Sequence, residues 1–313
     1  MIPAVDNKPS RPTPLLAAGL AVLAALTVCL SLLSLTQGAR PVSLPTVWQA
    51  VTAFDPSSAE HHIILDLRLP RTILGLGVGA ALGLSGAVLQ GATRNPLADP
   101  AILGIHAGAA MFVVFGVAVL GLSQLSAYVW LAFLGAGIAM ALVYAVASMG
   151  REGATPIKLA LSGAAVSAAL QSVISAILLT NARTLDEVRF WQVGALAGRG
   201  MDIVVQVAPF LGVGIVMALL TGRVLDGLSM GEDVARALGQ RVGLSRAFAA
   251  LAAVILGGAA TAAAGPIGFV GLTVPHVARA ITGPSYRWIL PYSMVLAPIL
   301  LLSADIIGRI VAP

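Results

Sequence analysis

"PLLAAGLAVLAALTVCLSLLSL", residues 14–35, runs without a single charged side chain. At 1.5 Å of rise per residue, a helix of that length crosses the roughly 30 Å hydrocarbon core of a bilayer. Lys8 and Arg11 precede the run, the order found in a secretory signal. The stretch is nevertheless too long for a signal's apolar core of about 7 to 15 residues, and no clean small-x-small cleavage site follows. It reads as a retained span.

Further apolar runs follow near 72–91, 100–121, 127–148, 157–180, 203–222, 245–264, 267–282 and 288–311, so the chain is expected to be an all-α polytopic bundle of about nine spans. The composition agrees: 58% of residues are apolar and only 10% are charged, against roughly a quarter charged in a soluble domain. The run at 267–282 is short, and Pro266, Gly268 and Gly271 interrupt its approach. Broken backbone at membrane depth survives only inside protein or beside water, so that segment is expected to face the bundle interior. The expected organisation is a tail at 1–13 followed by one transmembrane domain from 14 to 313.

The net charge of +5 is scattered over many loops, which speaks for orientation in a membrane and against nucleic acid as a partner. With the N-terminus in the cytoplasm, eleven Lys and Arg residues fall inside: Lys8, Arg11, Arg94, Arg151, Lys158, Arg223, Arg236, Arg241, Arg246, Arg279 and Arg287. Seven fall outside: Arg40, Arg68, Arg71, Arg183, Arg189, Arg199 and Arg309. The excess favours a cytoplasmic N-terminus. The single cysteine, Cys29, lies in the first apolar run and supports neither a disulfide framework nor a thiolate metal site.

Between spans, Val47, Trp48, Val51 and Phe54 recur at helical spacing. Core packing is the preferred reading of this stripe, with an amphipathic interfacial helix as the other. The cytoplasmic stretch "GEDVARALG", 231–239, carries both charge signs. Glu232 and Asp233 sit at a helix start, Arg236 follows, and Gly239 is placed to end the helix, an order that matches the helix dipole. Val234 and Leu238 form a small apolar stripe. Two turns of isolated helix are unstable in water, so the segment either docks or is a solvated loop. Neither Lys8 nor Lys158 lies in a Gly-x-x-x-x-Gly-Lys-Ser/Thr phosphate loop, so an energy source for pumping must come from another polypeptide.

"RLPR" at 68–71, "LSGAVLQGATRNPLADPAILGIHAGAA" at 84–110, "GEDVARALG", "GPIGFVGLTVPHVAR" at 265–279 and "LLSADIIGR" at 301–309 together resemble the FecCD family. These are permease subunits of ABC importers for ferric siderophores, haem and cobalamin, with the type II importer fold. The resemblance covers nearly the whole chain. It implies a second copy or a homologous permease subunit, a cytoplasmic ATP-binding cassette ATPase, an extracytoplasmic substrate-binding protein and the surrounding lipid as partners, with no cofactor and no catalysis by this chain. It further implies that Gly231, Glu232, Asp233, Arg236, Leu238 and Gly239 form the element that seats in the ATPase. Arg68, Arg71 and Arg309 are implied to receive acidic residues of the binding protein, a task suited to the planar guanidinium fork. Helix-end snorkelling of Arg68 and Arg71, and an i, i+4 pair between Asp305 and Arg309, are the competing structural explanations.

In "RNPLADP", 94–100, Pro96 and Pro100 stop helix propagation while Asn95 and Asp99 can cap the next helix start, so a structural turn is the first reading. Gln90 and Asn95 are candidates for facing a translocation path or gate. His276 reads as a hydrogen-bonded structural residue, and Glu60, His61 and His62 as a surface loop, rather than as metal ligands. The family continues beyond the last motif with a tenth span, whereas the sequence here stops at Pro313.

The expected function is therefore an inner-membrane permease for a ferric siderophore, with haem or cobalamin as alternative cargo. A proton- or sodium-driven transporter is the rival of another class, and Asp305 is the intramembrane acid it would call on. A receptor or scaffold is the third possibility. No nucleophile with a base, carboxylate pair or metal cluster points to an enzyme.

Overall fold

The computed structural model describes residues 12–122, 124–149 and 154–311. Most of the expected N-terminal tail, including Lys8 and Arg11, lies outside the described residues, as does Arg151. The described chain folds into helices α1 (Thr13–Thr36), α2 (Leu44–Thr52), α3 (Ala59–His62), α4 (Leu69–Thr93), α5 (Ile105–Leu120), α6 (Leu125–Ala147), α7 (Pro156–Thr180), α8 (Ala182–Gln192), α9 (Met201–Leu220), α10 (Gly222–Ser229), α11 (Glu232–Ala237), α12 (Val242–Ala264), α13 (Val270–Thr282) and α14 (Tyr286–Val311). No strand occurs among the described residues. A π-helical turn, Ile63–Arg68, joins α3 to α4 without a break. Helix starts follow local chemistry. Pro156 opens α7 behind Thr155, whose hydroxyl accepts the Lys158 amide, and Ser43 caps α2 in the same way.

Among the described residues, seven helices are long and apolar enough to cross a membrane: α1, the continuous Ala59–Thr93 rod, α6, α7, α9, α12 and α14. The runs expected at 100–121 and 267–282 form shorter helices, because backbone breaks precede both. Residues 94–104 leave the helix through Pro96 and Pro100 and re-enter it after Gly104, which has φ +78°. Residues 265–269 are irregular, with Gly265 at φ +77°. The thirteen residues of α13 span about 20 Å, short of a bilayer core.

The α4 rod is the hub, packed against α14, α12, α13 and α9, and it is buried along most of its length. Lipid tails are as apolar as leucine, so close backbone approach, rather than burial from water, must hold such helices together. The α4 glycines supply it. A Cβ on Gly86 would strike the Gly271 carbonyl, and one on Gly79 would meet the Pro298 backbone. A Cβ on either of Gly108 in α5 and Gly135 in α6 would strike the other's carbonyl oxygen. At the opposite extreme, α1 keeps almost its entire apolar surface facing outward, as a lipid-facing span does.

The stripe at 47–54 departs from expectation. Val47 is buried, but Trp48 is 71% exposed and Val51 and Phe54 are exposed as well. Core packing holds for Val47 alone. The short α2 presents the other three outward, because it is tethered beside α1 and α3 by its Val47 and Ala50 face only. That geometry fits the amphipathic-helix reading rather than core packing.

Candidate functional site

At one end of the bundle, α10 and α11 follow α9 and precede α12. Gly231 takes φ +119° and Gly239 φ +80°, conformations that admit glycine and bracket α11 on both sides. Glu232 is the tether. It accepts Arg236 Nη2 at 2.8 Å and pairs with Arg246 Nη2 of α12 at 2.6 Å. These cations hold the Glu232 carboxyl below the usual glutamate range, Arg246 contributing most. Arg246 also donates through Nε to the Ala92 carbonyl at the end of α4, at 3.2 Å. Asp233 meets Arg236 Nη1 at 3.2 Å. Ala235 alone is buried beneath the helix, while Val234 is 44% and Leu238 65% exposed. An apolar pair is thus presented outward on a helix clamped by ion pairs to α12.

A second link, which the sequence did not reveal, runs from α10 to the hub. Asp226 accepts the Tyr286 amide at 2.5 Å and the Ser285 hydroxyl at 3.1 Å, capping α14. The Tyr286 hydroxyl in turn accepts Arg279 Nη2 of α13 at 2.9 Å. Motion of α10 and α11 is therefore mechanically connected to α4, α12, α13 and α14. Only an Asp at the right sequence distance from an N-terminus it caps could have hinted at this, and that distance is long-range.

At the opposite end, Arg71 and Arg309 converge on Asp305, with Arg68 nearby. Arg71 binds Asp305 in a fork, with Nη2 at 2.6 Å and Nε at 3.0 and 3.1 Å from the carboxylate oxygens. Arg309 Nη2 lies 3.1 Å from the other side of Asp305, and its guanidinium also donates to the Ser34 and Gln37 carbonyls and the Ser34 hydroxyl. Arg68 is buried at the end of the π-helical turn. It donates to the Leu35, Thr36 and Arg40 carbonyls and so closes the C-terminus of α1. Arg71 is the most exposed of the Arg71, Arg309 and Asp305 group, at 23% of its side chain. The arginines of "RLPR" and Asp305–Arg309 thus form one cluster, with Arg68 turned inward.

Between the two ends, the break at 94–104 and the end of α4 pack on the start of α13, just after the second break. Gln90 is buried and donates to the Gly271 and Leu272 carbonyls at the start of α13, at 3.4 and 3.2 Å. Asn95 folds an Asx turn onto the Leu97 amide at 2.9 Å. Asp99 accepts backbone amides of Ala101, Ile102 and Leu272. His276 bonds the Pro96 carbonyl at 2.9 Å. In this structure Gln90, Asn95 and His276 all serve the joint between the first break and α13. His61 accepts the Asp55 amide, His62 pairs with Asp66, and Glu60 with Arg40. No cluster of three metal-ligating side chains occurs among the described residues.

The family model of the "FecCD transport family" matches residues 26–313. The chain is 45% identical over 276 residues to a probable siderophore transport system permease protein of Bacillus subtilis, covering 88% of this chain and 83% of that protein. It is 43% identical over 289 residues to the ferric enterobactin transport system permease protein of Escherichia coli, covering 92% and 86%. A solved structure described as an inward-facing conformation of a metal-chelate type ABC transporter superposes with a TM-score of 0.79 at 27% identity, over 95% of this chain and 92% of that one. A bundle of apolar helices, glycine-packed around one rod and carrying ion-paired elements at both ends, thus matches this family in sequence and in fold, and the chain belongs to the FecCD transport family of ABC importer permeases.

Proposed function

We propose that this chain is the membrane subunit through which an ABC importer passes a ferric siderophore across the bacterial inner membrane, with residues 14–313 as a single translocating domain. The observation that carries the reading is α11, a short helix rigidly tied to α12 and α4 through Glu232 and Arg246 while Val234 and Leu238 face outward. A helix so held suits the transfer of a push from a cytoplasmic ATPase, with Gly231, Glu232, Asp233, Arg236, Leu238 and Gly239 as the contact element. With α11 on the cytoplasmic side, the same reading has the N-terminus in the cytoplasm. At the far end, the Arg71–Asp305–Arg309 cluster, with Arg68 as its buried anchor, receives the carboxylates of a binding protein. A second permease subunit, identical or homologous, completes the path, and Gln90 and Asn95 govern the joint beside it.

The iron-chelate cargo rests on the siderophore and enterobactin relatives. A cobalamin import permease of Halobacterium salinarum, 37% identical over 276 residues, keeps that cargo as the second reading. Asp305 is engaged by two guanidinium groups, which speaks against its service as a mobile ion carrier. The test is ATP-dependent uptake in proteoliposomes containing the chain and its ATPase, offered binding protein loaded with ferric siderophore, haem or cobalamin. Uptake of a ferric siderophore that is lost in Leu238→Asp supports the proposal. Accumulation driven by a proton gradient without ATP overturns it.

A further inference from the structure

A cavity of about 560 Å³ opens between α5, α7 and α8, lined on its polar side by His106, Ser167, Gln171, Ser175, Arg189 and Gln192. It lies beside the span α12, toward the end of that helix away from α11. Arg246 is level with the α11 end of α4, since it donates to the Ala92 carbonyl. Thr261, which touches His106, stands about 22 Å further along α12 at 1.5 Å per residue. Polar lining at that depth is expensive unless something polar passes.

The ring of His106 is 4% exposed, and its protonation pattern is set by its neighbour. The Thr261 hydroxyl lies 2.7 Å from the Gly257 carbonyl and 2.6 Å from His106 Nδ1. A hydroxyl has one hydrogen. If it pointed at Nδ1, two oxygens would face each other at 2.7 Å with no proton between them. The hydroxyl therefore donates to Gly257, and Nδ1–H donates to the hydroxyl. The neutral imidazole carries one hydrogen, so Nε2 is left with a bare lone pair. Nε2 has no partner among the described residues, and the ring forms part of the cavity wall. The Ser167 hydroxyl beside it also lacks a partner.

We propose that His106 Nε2 is a specificity-determining hydrogen-bond acceptor in the translocation cavity, selecting chelates that present amide N–H groups. The inference rests on the importer reading above and names what its cavity recognises. The iron-binding oxygens of a hydroxamate or catecholate chelate have given up their protons to bind the metal. On a hydroxamate chelate, secondary-amide N–H groups of the backbone remain as donors, and an acceptor without a competing hydrogen is what they require. Thr261 is the positioning residue that holds the tautomer.

The test uses the full transporter in proteoliposomes with two probes, a linear ferric tris-hydroxamate with secondary amides and the same chelate with those amides N-methylated. Wild-type protein is expected to prefer the N–H chelate. His106→Phe is expected to lower its uptake about five- to tenfold, the worth of one neutral hydrogen bond, and to leave the N-methylated chelate unchanged. His106→Gln, which restores an acceptor oxygen, is expected to recover much of the preference. Equal uptake of both chelates by wild type and His106→Phe overturns the proposal while leaving the importer reading intact. No ATP-dependent uptake of any chelate by wild type counts instead against the importer reading. Nitrogen-15 spectra of histidine-labelled protein decide the tautomer independently of transport: an unprotonated Nε2 that becomes protonated-like in Thr261→Val supports the argument, and a protonated Nε2 in wild type overturns it.

Discussion

Replacing Asp305 by leucine isolates the energetics of the arginine cluster. The carboxylate is 8% exposed and makes four contacts of 2.6 to 3.1 Å to Arg71 and Arg309. Its loss does not fall equally on the three arginines. Arg68 keeps its carbonyls, and Arg309 keeps Ser34 and Gln37. Arg71, whose fork to Asp305 is its only hydrogen bonding among the described residues, is left partly buried and without a counter-ion. Breaking a buried pair from one side costs about 3 to 5 kcal/mol. Arg71 retains some access at the helix end and can snorkel, so the expected value is near the lower limit, about 3 kcal/mol. Removing Arg71 as well eliminates the stranded charge, and Asp305→Leu/Arg71→Leu is expected to recover to within about 1 kcal/mol of wild type. The coupling of the pair is then about 2 kcal/mol or more. Reversible unfolding in mixed micelles, followed by tryptophan fluorescence, measures Asp305→Leu, Arg71→Leu and the double variant against wild type. A single Asp305→Leu change worth less than about 0.5 kcal/mol, or a double variant no more stable than that single one, would falsify the assignment of Asp305 as the neutralising centre.

Other outcomes are expected from the same structure. Gly86→Val places a side chain into the Gly271 carbonyl and is expected to abolish recovery of folded protein, whereas Gly212→Ala, with open space at its Cβ, is expected to be tolerated, both read by fluorescence-detected gel filtration. Leu238→Asp is expected to leave the purified permease as thermostable as wild type while preventing co-purification of the ATPase, because the side chain is exposed. Glu232 has its carboxyl held low by Arg246 and Arg236, so its tether adds stability above the ordinary glutamate value of 4.5. That stability is lost as pH falls below 4.5 and through the depressed folded value; hydrogen exchange of α11 amides is expected to rise over this window in wild type and to be insensitive to it in Glu232→Gln. Trp48 is expected to be quenched by lipids brominated near the headgroup more strongly than by lipids brominated at the chain end, and equal quenching by both would refute the interfacial placement of α2.

The arginine cluster and the breaks show why some of this was hidden. That α11 is a helix was legible from charge order and bracketing glycines, because a helix's dipole and caps are local properties. Its tether Arg246 was invisible, since the Glu232 contact depends on how α12 leaves the loop. The stripe at Val47–Phe54 was legible as a helix but not as a surface, for periodicity reports which residues share a face and not what covers it. Asp226 and His106 gave no local sign at all. One caps a helix sixty residues away, and the other takes its tautomer from a threonine on another span.

By itself the sequence determined that the chain is helical and membrane-spanning, where its apolar runs are interrupted, and which family it joins, but not which of its nine apolar runs are long enough to span. All of these rest on hydropathy, turn residues and short motifs that act within a few residues of chain. Only the tertiary structure decided which side of each helix is buried, that two arginines share one aspartate, and that the break at 94–104 is locked to α13 through Gln90, Asp99 and His276. The reason is physical. In lipid every span is apolar on most of its surface, so polarity no longer marks the inside, and the choice of contacting face passes to glycine approach and to hydrogen bonds between segments far apart in the chain.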